Sequence, residues 1–161
     1  MHRVMGWKET AQVVERAREK VEKQGKPAFI ICDHYGMTGQ LSFYLPEARR
    51  DISASPLVYF RVTPTPENQF YFWPNFLNRT GQNAIFVVEA QRPRLVPGWF
   101  LRWWHHEPDL FVDGPSSAPP VPPEVRKEFQ SIEDMGIKNV IVNGNLVRRL
   151  QLYECRNLRG S

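Results

Sequence analysis

The first part of the chain alternates between helical and extended hydrophobic patterns. From Lys8 to Gln24, small apolar residues recur every three or four positions and charged residues fill the other faces, which predicts an amphipathic helix. Gly25 predicts its end, because glycine readily takes the left-handed conformation that closes helices. Ala28 to Cys32 is a continuous apolar run, too short for a helix, which predicts a strand buried on both faces. The apolar positions of the helix are Ala11, Val14, Ala17 and Val21.

Weaker signals of the same two kinds follow. Thr38 to Leu45 has helix-compatible spacing until Pro46, which cannot continue a helix. Pro56 to Val62 and Asn83 to Glu89 are rich in β-branched and aromatic residues and predict two more strands. Between them, the sequence PTPENQFYFWPNF, dense in proline and aromatics, predicts a structured loop or a short edge strand.

The C-terminal part carries a hairpin signal. Apolar-rich runs from Lys138 to Val142 and from Leu146 to Tyr153 flank Asn143-Gly144-Asn145, and Asn-Gly accepts the positive φ angles of a tight turn. The whole pattern predicts an α/β fold: a three-layer-like mixed sheet in a reduced Rossmann-like arrangement, ending in an antiparallel hairpin. We expect a single domain over residues 1–161, with a long tryptophan- and proline-rich excursion at about 91–123.

The composition fits a folded chain with mixed surface charge. Its 161 residues, 42% of them hydrophobic, suffice for one core. A formal net charge of +4 and a pI near 9.3 would suit an anionic partner if the cations were clustered, but acidic residues are interleaved almost everywhere. No window approaches the roughly 20 apolar residues that cross a bilayer. Cys32 and Cys155 fit no metal-ligand spacing, so we expect buried, unreactive thiols.

A polar turn, Asp33-His34-Tyr35, follows the first predicted strand. Open α/β sheets bind ligands outside the carboxyl ends of their strands, which makes this turn the first candidate site. Neither GxGxxG nor GxxxxGK[ST] is present to bind a phosphate, and no GxSxG element supplies a nucleophile. An Asp33–His34 pair could orient a general base, but the sequence favours a structural role for Asp33, such as capping the next helix.

The excursion contains the segment VPGWFLRWWHHEP. Its tryptophans lie beside an arginine and two histidines, which is typical of an interfacial belt at lipid headgroup depth. Packing on the domain's own core is an equal alternative, and stacking on single-stranded nucleic acid is a third. A zinc site is not favoured, because adjacent histidines point apart. The candidate membrane-interface residues are Trp99, Trp103 and Trp104, and the residues considered for zinc are His34, His105, His106, Glu107 and Asp109.

Five segments, read in order, carry a resemblance to a known family. They are Gly6-Trp7, PAFIICDHYGMTGQLSFYLP (Pro27 to Pro46), NQFYFWP (Asn68 to Pro74), GQNAIFVVE (Gly81 to Glu89) and GNLVRRLQLYECRNLRG (Gly144 to Gly160). Their order and spacing resemble the C-terminal extramembrane region of bacterial membrane glycosyltransferases of the protein mannosyltransferase and aminoarabinose transferase group. The resemblance covers most of the chain outside residues 92–130. Phe70 departs from it, because the family commonly has tyrosine there.

The resemblance implies a polytopic enzyme that transfers a sugar from a polyprenyl-phosphate carrier to an acceptor at the bacterial cytoplasmic membrane. The family's catalytic acidic residues belong to a loop between early membrane helices, and no residue of this chain matches them. The chain is therefore expected to be an accessory domain on the periplasmic or outer face, part of a longer membrane protein, with no catalytic residue, metal or cofactor of its own. The implied partners are the membrane-embedded part of the same polypeptide, lipid headgroups, and a sugar or glycan acceptor; no nucleic acid is expected.

The same resemblance points to particular side chains. Phe43, Tyr44 and Trp73 match the family's motifs and are expected to pack in the core or against a neighbouring domain. The candidate ligand-binding residues are Asp33, His34, Tyr35, Gln40, Gln69 and Tyr71. Two other function classes stay open: a free-standing α/β module that binds an anionic small ligand or nucleic acid, and a small hydrolase that uses Asp33 and His34.

Overall fold

The computed structural model describes residues 5–50, 55–66, 69–90 and 120–160. The helices of these ranges are α1 (Trp7–Glu22), α2 (Tyr35–Tyr44), α3 (Pro46–Arg50) and α4 (Pro123–Arg126). The strands are β1 (Ala28–Cys32), β2 (Val58–Phe60), β3 (Asn83–Glu89), β4 (Phe129–Val142) and β5 (Asn145–Leu158). Two 3-10 helices, Gln69–Phe72 and Phe76–Asn78, lie between β2 and β3.

The five strands form one mixed sheet in the order β2-β1-β3-β5-β4. β1 pairs in parallel with β2 and β3, whereas β5 runs antiparallel to β3 and β4. Asn143 and Gly144, both at positive φ, turn the chain from β4 into β5. The predictions of an α/β fold with a mixed sheet and of a C-terminal antiparallel hairpin are therefore confirmed.

The sheet is covered on both faces. α1, α2 and α3 bury a mainly aliphatic cluster on one face, while the second 3-10 helix and α4 cover an aromatic cluster on the other. Because side chains alternate along a strand, β1 contributes Ile30 to the first cluster and Phe29 and Ile31 to the second. Every residue of β1 is buried, which confirms the prediction of a strand covered on both sides.

α1 buries the apolar stripe that the sequence predicts, and it begins at Trp7. Gly6 precedes it with a left-handed φ of 80°. A Cβ at Gly6 would lie 3.0 Å from Val147 and 3.3 Å from Val142, so the start of α1 packs closely on the β4–β5 hairpin. The amide and hydroxyl of Thr10 both donate to the Gly6 carbonyl, which completes the first turn.

Some predicted boundaries are wrong by several residues. α2 begins at Tyr35, before the predicted start at Thr38, because the His34 side chain caps it. β2 is confined to Val58–Phe60, since it pairs only with the last three residues of β1. The described part of the segment after β2 forms 3-10 helices, which agrees with a structured loop and excludes an edge strand there.

The hairpin is longer than predicted at both ends. β4 starts at Phe129 and β5 continues to Leu158, whereas the apolar runs indicated only Lys138 to Val142 and Leu146 to Tyr153. β4 is an edge strand with few buried residues, so its sequence has no sustained apolar alternation. A register shift beside Gly136, whose φ is 77°, interrupts the alternation further.

Arg18 ties α1 to the rest of the helical layer. Its guanidinium donates to Glu15 and Glu22 on α1 at 2.7 Å each and to Glu47 on α3 at 2.6 Å. It also reaches the carbonyl of Ala28 at the start of β1, at 3.3 Å. The hydrogen bond to Glu15 leads the causes that raise the pKa of Arg18, so this buried cation stays charged.

We expect Arg18→Met to lower the free energy of unfolding by about 2–4 kcal/mol, because it leaves three carboxylates close together without their shared cation. Urea denaturation followed by circular dichroism measures the change. Arg16→Met, an exposed position on the same helix, is the matched control and should shift stability by less than about 0.5 kcal/mol. Equal effects of the two substitutions would contradict a structural role for the Arg18 network.

Candidate functional site

A polar turn directly follows the carboxyl end of β1. Asp33 follows Cys32 directly, and its backbone amide donates to the Val87 carbonyl of the neighbouring parallel strand β3 at 3.1 Å. β2 and β3, the two strands that follow β1 in the chain, lie on opposite sides of β1 in the sheet. The strand order therefore reverses at β1. Ligand crevices of open α/β sheets form at such places.

His34 is the N-cap of α2. Its Nδ1 accepts the Gly36 amide proton at 3.1 Å, and its carbonyl accepts from both the amide and the hydroxyl of Thr38. The imidazole lies on the ring of Tyr35, with 4.4 Å between ring centroids. The cap that was predicted for Asp33 is therefore formed by His34.

Asp33 binds an arginine that the sequence did not single out. Its Oδ1 lies 3.1 Å from Nε of Arg61, and the Arg61 amide donates to the carbonyl of Cys32 at 3.0 Å. The Arg61 guanidinium carbon also lies 5.7 Å from the ring centre of Phe60. Backbone and side chain together thus hold Arg61 across the ends of β1 and β2.

The Asp33–Arg61 pair changes what the turn can do chemically. No hydrogen bond joins the Asp33 and His34 side chains, because the carboxylate is bound to Arg61 and Nδ1 of His34 is bound to Gly36. A base oriented by a carboxylate needs that bond. The geometry therefore lends no support to a hydrolytic pair at this turn.

A cavity of about 300 Å³ opens beside Arg61, along the free edge of β2. Phe60, Arg61 and Thr63 line it. Tyr71 of the first 3-10 helix and Trp73, just after that helix, also line it and are 44% and 45% exposed. Aromatic faces, a guanidinium and hydroxyl groups are thus presented to one space.

The structure brings together some of the predicted site residues and separates others. Asp33 is linked through Arg61 to the cavity that Tyr71 lines. Tyr35 is exposed beside His34, outside the lining of this cavity. Gln40, half-buried on α2, and Gln69, exposed at the start of the 3-10 segment, do not line it either. The predicted membrane-interface residues Trp99, Trp103 and Trp104 lie outside the described residues.

Three aromatic residues that were expected to be packed are exposed. Trp73 faces the cavity, and Phe43 and Tyr44 on α2 are 62% and 37% exposed. The reason is geometric: α2 buries Met37 and Leu41, and residues two or three positions after Leu41 point away from that stripe. The prediction that these rings lie in the domain's own core is wrong.

Arg61 was missed because it was read as one position of an alternating strand. A signal was present in the sequence: a cation directly follows the apolar run of β2, just as Asp33 directly follows that of β1. The carboxyl ends of neighbouring parallel strands meet at one sheet edge. Opposite charges in those two places predict an ion pair.

Both cysteines are free, buried thiols in the core, as expected from the sequence. Burial raises the pKa of Cys32 to about 12 and that of Cys155 to about 12. A thiol of such high pKa carries almost no thiolate near neutral pH, and the thiolate is the nucleophile. Neither residue is suited to covalent catalysis.

No group of three or more histidine, cysteine or acidic side chains in the described ranges is placed to hold a metal ion. Of the residues considered for zinc, only His34 belongs to those ranges. None of the described helices is both long enough and apolar enough to cross a bilayer. Comparison of the chain with known family models, with curated proteins and with solved structures finds no match.

The cysteines predict alkaline destabilisation. Above pH 9 the thiols of the unfolded chain ionise, while the buried thiols stay protonated up to about pH 12. The unfolded state then binds fewer protons, so the free energy of unfolding falls as the pH rises through this window. Urea midpoints at about pH 8 and about pH 10.5 measure the fall. It should be smaller in Cys32→Ala/Cys155→Ala, and an unchanged fall would contradict the assignment.

Proposed function

We propose that this chain is an accessory extramembrane domain of a glycosyltransferase that transfers a sugar from a polyprenyl-phosphate carrier, and that its β2-edge cavity binds a sugar of the donor or acceptor. The observation that carries the proposal is the meeting of two sequence motifs at one place. Asp33, from the first motif, fixes Arg61, and Tyr71 and Trp73, from the second, form the facing wall. Asp33 and Tyr71, 38 positions apart in the chain, are thus brought together at one cavity through Arg61.

The chemistry of the cavity suits a carbohydrate. A pyranose has apolar C–H faces and a rim of hydroxyl groups, so it needs flat apolar surfaces beside hydrogen-bonding groups. Tyr71 and Trp73 offer the flat surfaces, and both carry a polar group at one end. Arg61 supplies hydrogen-bond donors, and the hydroxyl of Thr63, which donates to the Thr65 carbonyl, can act only as an acceptor. A volume of about 300 Å³ is at the lower end of small-molecule sites, which favours one or two sugar units over a long chain.

The described residues favour recognition over catalysis. An inverting sugar transfer needs a carboxylate base free to take a proton. Asp33 is held by Arg61, Nδ1 of His34 is used to cap α2, and both thiols are buried. In the proposal the reaction takes place in the membrane-embedded part of the same polypeptide, and this domain lies on the periplasmic or outer face of a bacterial cytoplasmic membrane.

Sugar binding is tested by saturation-transfer NMR on the 161-residue chain, with mannose, glucose, 4-amino-4-deoxyarabinose and mannose 1-phosphate as probes. We expect at least one sugar to bind, and Tyr71→Ala and Trp73→Ala each to weaken it about tenfold, because each removes a stacking surface. Phe72→Ala is the matched control, since Phe72 belongs to the same 3-10 helix, is 80% exposed and does not line the cavity.

Two results would overturn this use of the cavity: no binding of any probe, or equal loss in Phe72→Ala and Trp73→Ala. Salt-dependent binding of a single-stranded oligonucleotide that Trp73→Ala abolishes would favour the nucleic-acid module instead. The accessory role has its own test. The isolated chain, given a polyprenyl-phosphate mannose donor and an acceptor, should form no product, and transfer by this chain alone would contradict that role.

A further inference from the structure

The turn between β4 and β5 contains the only Asn-Gly sequence of the chain, Asn143-Gly144. Both residues are exposed, at φ angles of 50° and 78°. An asparagine side chain loses its ammonia when the backbone nitrogen of the next residue attacks it, and asparagine is for this reason a thermolabile residue. Glycine hinders that attack least, because it has no Cβ. The turn is therefore a candidate for chemical modification.

The two reacting groups are not engaged elsewhere in the described part of the chain. Val142 pairs with Asn145, so the ladder of the hairpin passes over the turn and leaves the Gly144 amide without a hydrogen bond there. The side-chain amide of Asn143 likewise has no partner among the described residues. A Cβ built on Gly144 would meet nothing within 4 Å, so the space around the attacking nitrogen is open.

Asn145 polarises the peptide group that has to react. Its Nδ2 donates to the carbonyl oxygen of Asn143 at 3.1 Å. This carbonyl and the Gly144 N–H belong to the same peptide group, so the hydrogen bond draws electron density from the nitrogen and makes its proton more acidic. The turn also lies at the end of a hairpin whose β4 is an edge strand, where local opening costs least. Both features favour attack by Gly144.

We propose that Asn143 is a site of deamidation. The Gly144 nitrogen gives its proton to solvent and bonds to Cγ of Asn143, while the bond from Cγ to the side-chain nitrogen breaks and ammonia leaves. A water molecule then opens the resulting succinimide ring at one of its two carbonyls, which yields aspartate or isoaspartate. Water is the only reactant that the chain does not supply. The product is the only acidic side chain between Ile137 and Tyr153.

Isoaspartate changes the hairpin as well as its charge. It carries the main chain through Cβ and Cγ, so the turn gains one backbone carbon, whereas the turn geometry holds Val142 directly opposite Asn145. Val142 and Val147 also contact Gly6, the residue before α1. We therefore expect isoaspartate at Asn143 to loosen the end of the β4–β5 ladder and its packing on Gly6. None of these residues lines the sugar cavity, so this inference is independent of the proposed function.

Incubation of the folded 161-residue chain at neutral and mildly alkaline pH, followed by peptide mass spectrometry, tests the site. The peptide with Asn143 should gain the mass that separates an acid from an amide, and isoaspartyl methyltransferase should label it. The rate should rise by up to about tenfold per pH unit, because the deprotonated fraction of a weak acid rises in that proportion. Asn145→Ala should slow the reaction about two- to tenfold, the equivalent of one neutral hydrogen bond.

Asn145 is the matched internal control, because it is exposed in the same turn but is followed by Leu146. It should stay intact, and equal conversion of Asn145 and Asn143 would overturn the proposal. So would an intact Asn143 in the folded chain after the chain unfolded in urea has been converted, since the fold would then protect the turn. An unchanged or faster rate in Asn145→Ala would contradict the activating hydrogen bond.

Hydrogen exchange tests the structural consequence. The amides of Val142 and Asn145 should exchange faster in the purified isoaspartate form than in Asn143→Asp, which carries the same charge on a normal backbone. Equal exchange in the two proteins would contradict loosening of the hairpin end.

Discussion

The complete burial of β1 is the constraint on which the other features depend. Its five residues have no polar face to offer water, so both faces of the sheet must be covered, one by α1, α2 and α3 and the other by aromatic residues under α4. Arg18 helps to meet this requirement by joining α1 and α3 to the start of β1. A strand enclosed in this way exposes only its ends. Asp33, the first residue after β1, is therefore where polar chemistry can begin.

Much of this arrangement could be predicted from the sequence, because burial leaves a clear pattern in elements that are enclosed or amphipathic. β1 and β3 agree with their predicted bounds, and α1 agrees within a few residues. The pattern fails where burial is weak or contacts are distant. β4 is an exposed edge strand with a register shift, so its sequence has no sustained apolar periodicity. Arg61 can be recognised as the partner of Asp33 only once β2 is known to pair with β1. The exposed rings of Phe43, Tyr44 and Trp73 show the same limit, since hydrophobicity alone does not say which face a residue occupies.

The pairing of Asp33 with Arg61 also determines which polar groups this end of the sheet presents. Oδ1 of Asp33 is bound by Nε of Arg61. The same contact orients a guanidinium, which is a hydrogen-bond donor, at the cavity wall beside Tyr71 and Trp73. Asp33 thus positions Arg61, a role that differs from both the helix cap and the catalytic role considered from the sequence.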